Sequence, residues 1–465
     1  MLLQFRTLPP ALLVLLVILA GNGCSSPPET ERRSDPGPNV VFIIVDALRA
    51  DHLGCYGSPN GTTPRIDALA GHSLFYENAY SNATWTVPSS ASLFTSTLPV
   101  VHRINRPPHN LFAFSVLSDA YVLASEAFRD AGYATGMIAT IDWVSPTSNY
   151  HQGVDDYQRA KGDADLLRRA RQYVSDHAQD RFHLYLHFID LHDYYDPARI
   201  FSGRHDHLIE PTSALLTLRG KTKAEAYKAL SKDLSMEGVL TPGDVDVLKA
   251  SYDAELATTD RLIGELVDHL AAERLLENTL IVVTSDHGER FLEHQTLMHA
   301  SDGFFNEVLR IPFIVAGPGR FEGRTTITTP VSSIDFYPTV MSLAGVSRPE
   351  HFQGESILEP EEDRAVFATD GLTWKVLTER WTYIRSESKG REELYDLSAD
   401  PGEKTDLLAG SGAAEHAAVV EDLARRLKAM SDASRGHEYL IMVENPGEAE
   451  MTEEERAALK ALGYL

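Results

Sequence analysis

Val40-Val41-Phe42-Ile43-Ile44-Val45-Asp46 is a run of β-branched and aromatic residues closed by a carboxylate. An apolar run with no polar alternation fits a strand covered on both faces, the habit of parallel sheets. The arrangement returns at Leu280–Thr284, followed by Ser285-Asp286-His287-Gly288-Glu289. It returns again at Phe182–Ile189, followed by Asp190-Leu191-His192-Asp193. A weaker copy, Ala134–Ile141, ends at Asp142, and Pro312–Ala316 runs into Gly317-Pro318-Gly319. Helical patterns fill the intervals at Asp119–Ala131, Asp163–His177 and Ala250–Leu276. Strand alternating with helix implies an α/β fold, a doubly wound, mostly parallel central sheet flanked by helices. Ligands of such sheets bind beyond the carboxyl ends of the strands. Asp46, Asp190 and Asp286 are therefore expected along one edge, with His192 and His287 beside them. A single Asp after a strand is ordinarily a turn residue or helix cap. Three of them, two with neighbouring histidines, point instead to a divalent metal, because crowded carboxylates repel unless a cation joins them.

A nucleophile candidate lies in Ala83–Ser96, ATWTVPSSASLFTS. Pro88 suits the first turn of a helix, and Ser89–Ser96 continues with helical spacing. Thr86 is expected just ahead of that start, facing free backbone N–H groups and the positive end of the dipole. The setting stabilises an alkoxide, and a nearby metal would activate the hydroxyl further. A helix cap is the plainer role for a threonine there.

The chain has 465 residues, enough for two or three domains. Acidic residues outnumber basic ones 67 to 42, a net charge of −25. That charge leaves no basic footprint, so no nucleic-acid partner is expected. At the start, Arg6 precedes the apolar run Ala11–Ala20, and Gly21-Asn22-Gly23-Cys24 follows. This pattern reads as an export signal over residues 1–24, with lipidation at Cys24. Export places the protein in the periplasm or on the outer surface, touching a membrane only through that lipid. Residues 25–38, rich in Pro, Ser, Glu and Arg, read as a tether. With Cys24 lipidated, Cys55 stands alone and no disulfide is expected.

Together these segments resemble the sulfatase family of the alkaline phosphatase superfamily, from about Asn39 to Leu465. NVVFIIVDALRADHLGCYG at Asn39–Gly57 resembles the first strand and metal-binding turn, and TPRIDALA at Thr63–Ala70 the helix after it. SDHGE at Ser285–Glu289 is similar to the second metal-binding turn. HFIDLHDYYDP at His187–Pro197 resembles the substrate-side segment. ELYDLSADPGE at Glu393–Glu403 and the ending Leu459–Leu465 resemble the small C-terminal domain of bacterial members. The resemblance implies a catalytic domain over 39–347 and a small C-terminal α+β domain over 348–465. It implies Asp46, Asp286 and His287 as ligands of one divalent metal, with Thr86 completing the shell. It makes Asp190 and His294 substrate-binding groups, and His299 and His192 candidates to protonate the leaving oxygen.

The pattern also departs from that family. Classical members carry Cys or Ser, oxidised to formylglycine, where Thr86 stands; threonine would give a ketone, so no formylglycine is expected. Ser90 replaces an arginine, Ala47 replaces the second Asp of the first metal turn, and Thr140-Ile141-Asp142 replaces a Lys-Trp-His segment. These losses remove cations that grip sulfate and leave a resemblance to threonine-nucleophile relatives. A histidine ligand favours zinc or manganese, with calcium the alternative. The expected activity is metal-dependent hydrolysis of sulfate or phosphate esters, of a small molecule or glycan, with Thr86 as nucleophile. The alternatives are a phosphodiesterase or phospho-transferase acting on envelope glycans or lipids, and an inactive binding lipoprotein. Phe201–Asp246 reads as either a lid or a solvated helical pair.

Overall fold

The computed structural model describes residues 37–104, 113–233, 239–299, 303–359, 361–410, 414–441, 447–453 and 456. The export signal, Cys24 and the tether up to residue 36 lie outside them. Gly37–Leu465 forms one compact unit. No helix among the described residues is long and apolar enough to cross a membrane.

Its strands are β1 (Asn39–Val45), β2 (Ser73–Tyr80), β3 (Ala113–Val116), β4 (Ala134–Ala139), β5 (Asp156–Arg159), β6 (Phe182–Phe188), β7 (Thr279–Thr284), β8 (Arg310–Ala316), β9 (Thr325–Ile327) and β10 (Val331–Ser332). The main sheet has the order β10-β2-β8-β7-β1-β6-β4-β5, with β9 also on β2. β1 sits at the centre, parallel to β6 on one side and β7 on the other. β8 runs antiparallel to both β7 and β2. Every residue of β1 is buried, because both faces of the sheet are covered. Val41, Ile43 and Val45 pack into one apolar layer. Val40, Phe42 and Ile44 pack into the other. The continuous apolar run is thus the direct consequence of a three-layer α/β arrangement.

Helix ends differ from the sequence reading in informative ways. The long helix begins at Pro242, not Ala250, and ends at Ala272. Thr241 caps it, exchanging bonds with Asp244, and Pro242 fills the first position, where a missing N–H costs nothing. The helix expected from Asp119 starts only at Ala124. The helix after the second strand starts at Thr86 itself, with Trp85 as its N-terminal flank. Thr86 is therefore the first helical residue rather than a cap. Pro88 fits inside the first turn, because no N–H there has an intrahelical partner to lose.

A second sheet, β11 (Val366–Thr369), β12 (Thr373–Leu377), β13 (Trp381–Ser386) and β14 (Arg391–Asp396), is fully antiparallel. Residues 378–380 turn β12 back into β13. The helix Ala417–Ile441 contributes Leu423 and Leu427 to the core of this sheet. β15 (Gly447–Glu450) returns to pair antiparallel with β3.

A buried ion pair anchors the small sheet and ties it, through Asn306, to the start of β8. Lys375 on β12 places Nζ 2.6 Å from Glu403 Oε1, with both side chains fully buried. Glu403 also accepts from the Asn306 backbone N–H at 2.8 Å. Burial pushes the Lys375 amine below its ordinary value while Glu403 works against that. Lys375→Met leaves the Glu403 carboxylate buried without its counter-charge. The expected cost is about 3–5 kcal/mol, read as a lowered midpoint in urea unfolding.

Candidate active site

The carboxyl ends of β1, β6 and β7 lie side by side in the sheet order, and the groups that follow them converge. Asp46 follows β1 and is fully buried, and Asp286 and His287 follow β7. His187 lies near the end of β6, also fully buried. One ligating atom each of Asp46, His187 and Asp286 lie within 4.8 Å of one another. Thr86 joins them from the start of its helix. Its Oγ1 donates to Asp46 Oδ2 at 3.4 Å and lies 3.3 Å from His287 Nε2.

The turn after β1 is held rigidly. Ala47 adopts φ 59°, a left-handed conformation that costs a non-glycine residue free energy and persists only where its surroundings enforce it. Ala47 N–H donates to Asp286 Oδ1 at 3.3 Å, Leu48 N–H to Ser285 Oγ at 2.9 Å, and the Tyr252 hydroxyl to the Ala47 carbonyl at 2.7 Å. The two metal-turn segments are thereby locked to each other.

Two oxygens of this centre, Asp46 Oδ1 and Asp286 Oδ2, are buried with no hydrogen-bond partner among the described residues. Buried carboxylate oxygens are seldom left so unless a cation completes them. His287 Nε2 lies 3.8 Å from the first and 3.4 Å from the second. Its Nδ1 is 2.8 Å from the Gly288 carbonyl. A carbonyl only accepts, so Nδ1 carries the proton and Nε2 turns a lone pair inward. Donors around an ion with bonds of about 2.1 Å in a tetrahedron are about 3.4 Å apart. The contacts of Thr86 with Asp46 and His287, and of His287 with Asp46 and Asp286, run from 3.3 to 3.8 Å.

Beside this centre stand two more histidines. The His287 and His299 rings are 4.1 Å apart, and His299 and His192 are 5.1 Å apart. His299 Nδ1 lies 3.3 Å from Glu289 Oε2. Burial works against the His299 imidazolium, yet Glu289 raises its pKa above the ordinary value. His192 shifts the opposite way, lowered first by burial and then by His299 and Lys223. The two adjacent imidazoles are thus shifted in opposite directions.

Asp190 and His294 lie apart from this group in their contacts. Arg199 Nη2 approaches Asp190 Oδ2 at 4.0 Å, within a cluster that also holds Asp193, Glu255 and Lys223. His294 stacks on Phe305, centroids 3.6 Å apart. Its ring nitrogens meet Glu307 at 2.6 Å and the Glu403 carbonyl at 2.8 Å. These contacts make His294 a tie between the 290–299 loop and the small sheet's edge. Ser90, one turn beyond Thr86, is buried, and its Oγ has no hydrogen-bond partner among the described residues.

His187 and Glu289 were not singled out from the sequence. His187 falls on alternate positions with Tyr185 and His183, so all three share one face of β6, and that alternation was the available signal. Glu289 meets His299 only because the intervening loop takes left-handed turns at Leu292, Gln295 and Met298.

The family profile described as sulfatase matches residues 38–346. This chain belongs to the sulfatase family. A second profile, the C-terminal part of N-sulphoglucosamine sulphohydrolase, matches residues 300–433. This sulfatase is 25% identical to an ulvan-active sulfatase of Formosa agariphila over 86% of the chain and 82% of the relative. It is 24% identical to mouse arylsulfatase K over 85% and 81%. Among solved structures it resembles a protein complexed with its substrate D-glucosamine-2-N,6-O-disulfate, with TM-score 0.67, 19% identity, and coverage of 86% and 98%. A phosphonate monoester hydrolase of Agrobacterium radiobacter shares the fold at TM-score 0.62 and 19% identity, with coverage of 85% and 96%. The chain is an ester-bond hydrolase of the sulfatase family, and its buried cluster is a potential metal site.

Proposed function

We propose that this chain hydrolyses sulfate or phosphate esters with Thr86 Oγ1 as nucleophile and a divalent metal in the site. The observation that carries the reading is the position of Thr86: first in its helix, buried, and within 3.4 Å of both Asp46 and His287. Asp46, Asp286, His287 and Thr86 would hold the ion, and the two unpartnered carboxylate oxygens support its presence. A bound divalent ion supplies Lewis-acid polarisation of the ester and a lowered hydroxyl pKa. Imidazole among the donors favours zinc or manganese over calcium. The Thr86 hydroxyl donates its hydrogen to Asp46, which takes the proton as the oxygen attacks sulfur or phosphorus and returns it to Thr86 when water releases the ester. Orphan N–H groups of the helix's first turn face the developing negative charge. His299, kept protonated by Glu289, gives its proton to the leaving alcohol oxygen. His192, held neutral beside it, accepts a proton from the water that releases the covalent Thr86 ester.

A hydroxyl with no oxidisable Cβ–H₂ group removes the route to an aldehyde, so Thr86 is read as unmodified. The names of the glycan-directed relatives support a sulfated glycan, whereas the lost cations favour a phosphodiester. The opening sequence supports export and a lipid anchor at Cys24.

The deciding experiment compares p-nitrophenyl sulfate, phosphate and a phosphodiester on metal-reconstituted protein. The expected outcome is turnover of the phosphodiester above that of the sulfate. Sulfate turnover in excess would overturn the argument from the missing cations. Turnover of none, with metal bound, would favour the inactive binding protein.

A further inference from the structure

The site holds one histidine more than the proposed ligand set uses. His187 has no exposed surface. Its Nε2 lies 3.2 Å from Asp46 Oδ2. Its Nδ1 lies 3.0 Å from the Tyr185 hydroxyl, which is itself buried. No other polar partner of Tyr185 is found among the described residues. Nε2 therefore points into the cluster containing Asp286, and Nδ1 points back into the sheet's apolar layer.

The two histidines of the centre are wired differently. His287 Nδ1 faces a backbone carbonyl, which fixes one tautomer. His187 Nδ1 faces a hydroxyl, which donates or accepts. Next to a bare Asp46 carboxylate, His187 carries its proton on Nε2 and donates it to Asp46, while the Tyr185 O–H donates to Nδ1. With a cation in the cluster, the proton sits on Nδ1, the Tyr185 oxygen accepts it, and Nε2 offers its lone pair.

We infer that His187 is itself a metal ligand through Nε2, with the Tyr185 hydroxyl as the positioning group that permits the required tautomer. The inference rests on the metal-dependent reading above and deepens it. It makes the centre one of two imidazoles, two carboxylates and a threonine oxygen. A donor set with two nitrogens selects a borderline transition ion against calcium, whose sites are built from oxygen. The competing role for His187 is that of a simple donor to Asp46, outside the coordination shell.

His187→Asn separates the two roles, since a carboxamide still donates to Asp46 but is a poor ligand. The measurements are zinc affinity by chelator competition and the visible spectrum of the cobalt(II)-loaded full chain. Cobalt(II) bands respond to the number of nitrogen donors, so the readout needs no turnover. As a ligand, His187 predicts that His187→Asn weakens zinc by 100-fold or more and shifts the cobalt bands. Tyr185→Phe, which keeps the imidazole, should weaken zinc by about 10–100-fold, as loss of an outer partner does. Melting of the metal-free variants establishes that each is folded. Wild-type affinity and an unshifted spectrum in His187→Asn would overturn the inference alone. A wild-type chain that binds neither zinc nor cobalt would overturn both it and the metal-dependent reading.

Discussion

Thr86→Ala is expected to abolish ester hydrolysis, with kcat falling by about 10⁴–10⁶-fold, the range seen when a covalent nucleophile is deleted. The effect should be on turnover rather than on folding. Thr86 Oγ1 makes contacts of only 3.3 and 3.4 Å, so its removal costs the fold about 1 kcal/mol. Thr86→Ser keeps the oxygen at the helix start and should retain activity within a few tens of fold. A mass scan of denatured protein trapped during turnover should find the ester adduct on the wild type and none on Thr86→Ala. If Thr86→Ala keeps turnover within tenfold of wild type, the threonine is only a helix-initiating residue. The attacking oxygen would then have to come from water.

Much of the fold was legible because its decisive strands are buried on both faces. β1, β6 and β7 carry unbroken apolar runs, and each ends where a polar residue must appear. The same logic found Asp46, Asp286 and His287, since groups that follow parallel strands share an edge. Residues inside the strands escaped it. His187 lies within β6, where a polar residue amid apolar ones reads as a satisfied core group. Only the neighbouring strand register, with Ile44 opposite His187, brings it level with the end of β1. His294, five residues before His299, has its ring nitrogens on Glu307 and the Glu403 carbonyl, and non-glycine left-handed residues at Gln295 and Met298 lie between the two histidines. Backbone of that kind has no sequence signal, because tertiary contacts rather than residue type hold it. Long-range polar contacts such as Lys375–Glu403 were equally hidden, spanning elements that no local pattern connects.

Asp46→Asn should produce an inversion between function and stability. In the metal-free chain, Asp46 and Asp286 leave two buried oxygens without partners, and Asp46 sits within 3.8 Å of the same imidazole as Asp286. Crowded buried carboxylates destabilise the fold, and active centres store such strain. Replacing one charge with an isosteric amide relieves it, so metal-free Asp46→Asn should melt above metal-free wild type. Metal reverses the order. A ligand at 100 times its Kd stabilises the native state by about 2.7 kcal/mol. Wild type should therefore gain several degrees on adding zinc and lose them again with a chelator. Asp46→Asn, lacking the central charge of the cluster, should bind zinc at least about 100-fold more weakly, beyond what loss of an outer partner causes. Its melting temperature should then be insensitive to either reagent, and its hydrolytic activity should vanish with the metal. The crossing of the two melting curves is the diagnostic feature, since a merely misfolded variant would melt lower under both conditions. A wild-type melting temperature unmoved by zinc or chelator would remove the metal from the centre. The paired carboxylates would then need another counter-charge, and the imidazoles in contact with them are His187, 3.2 Å from Asp46, and His287, 3.4 Å from Asp286.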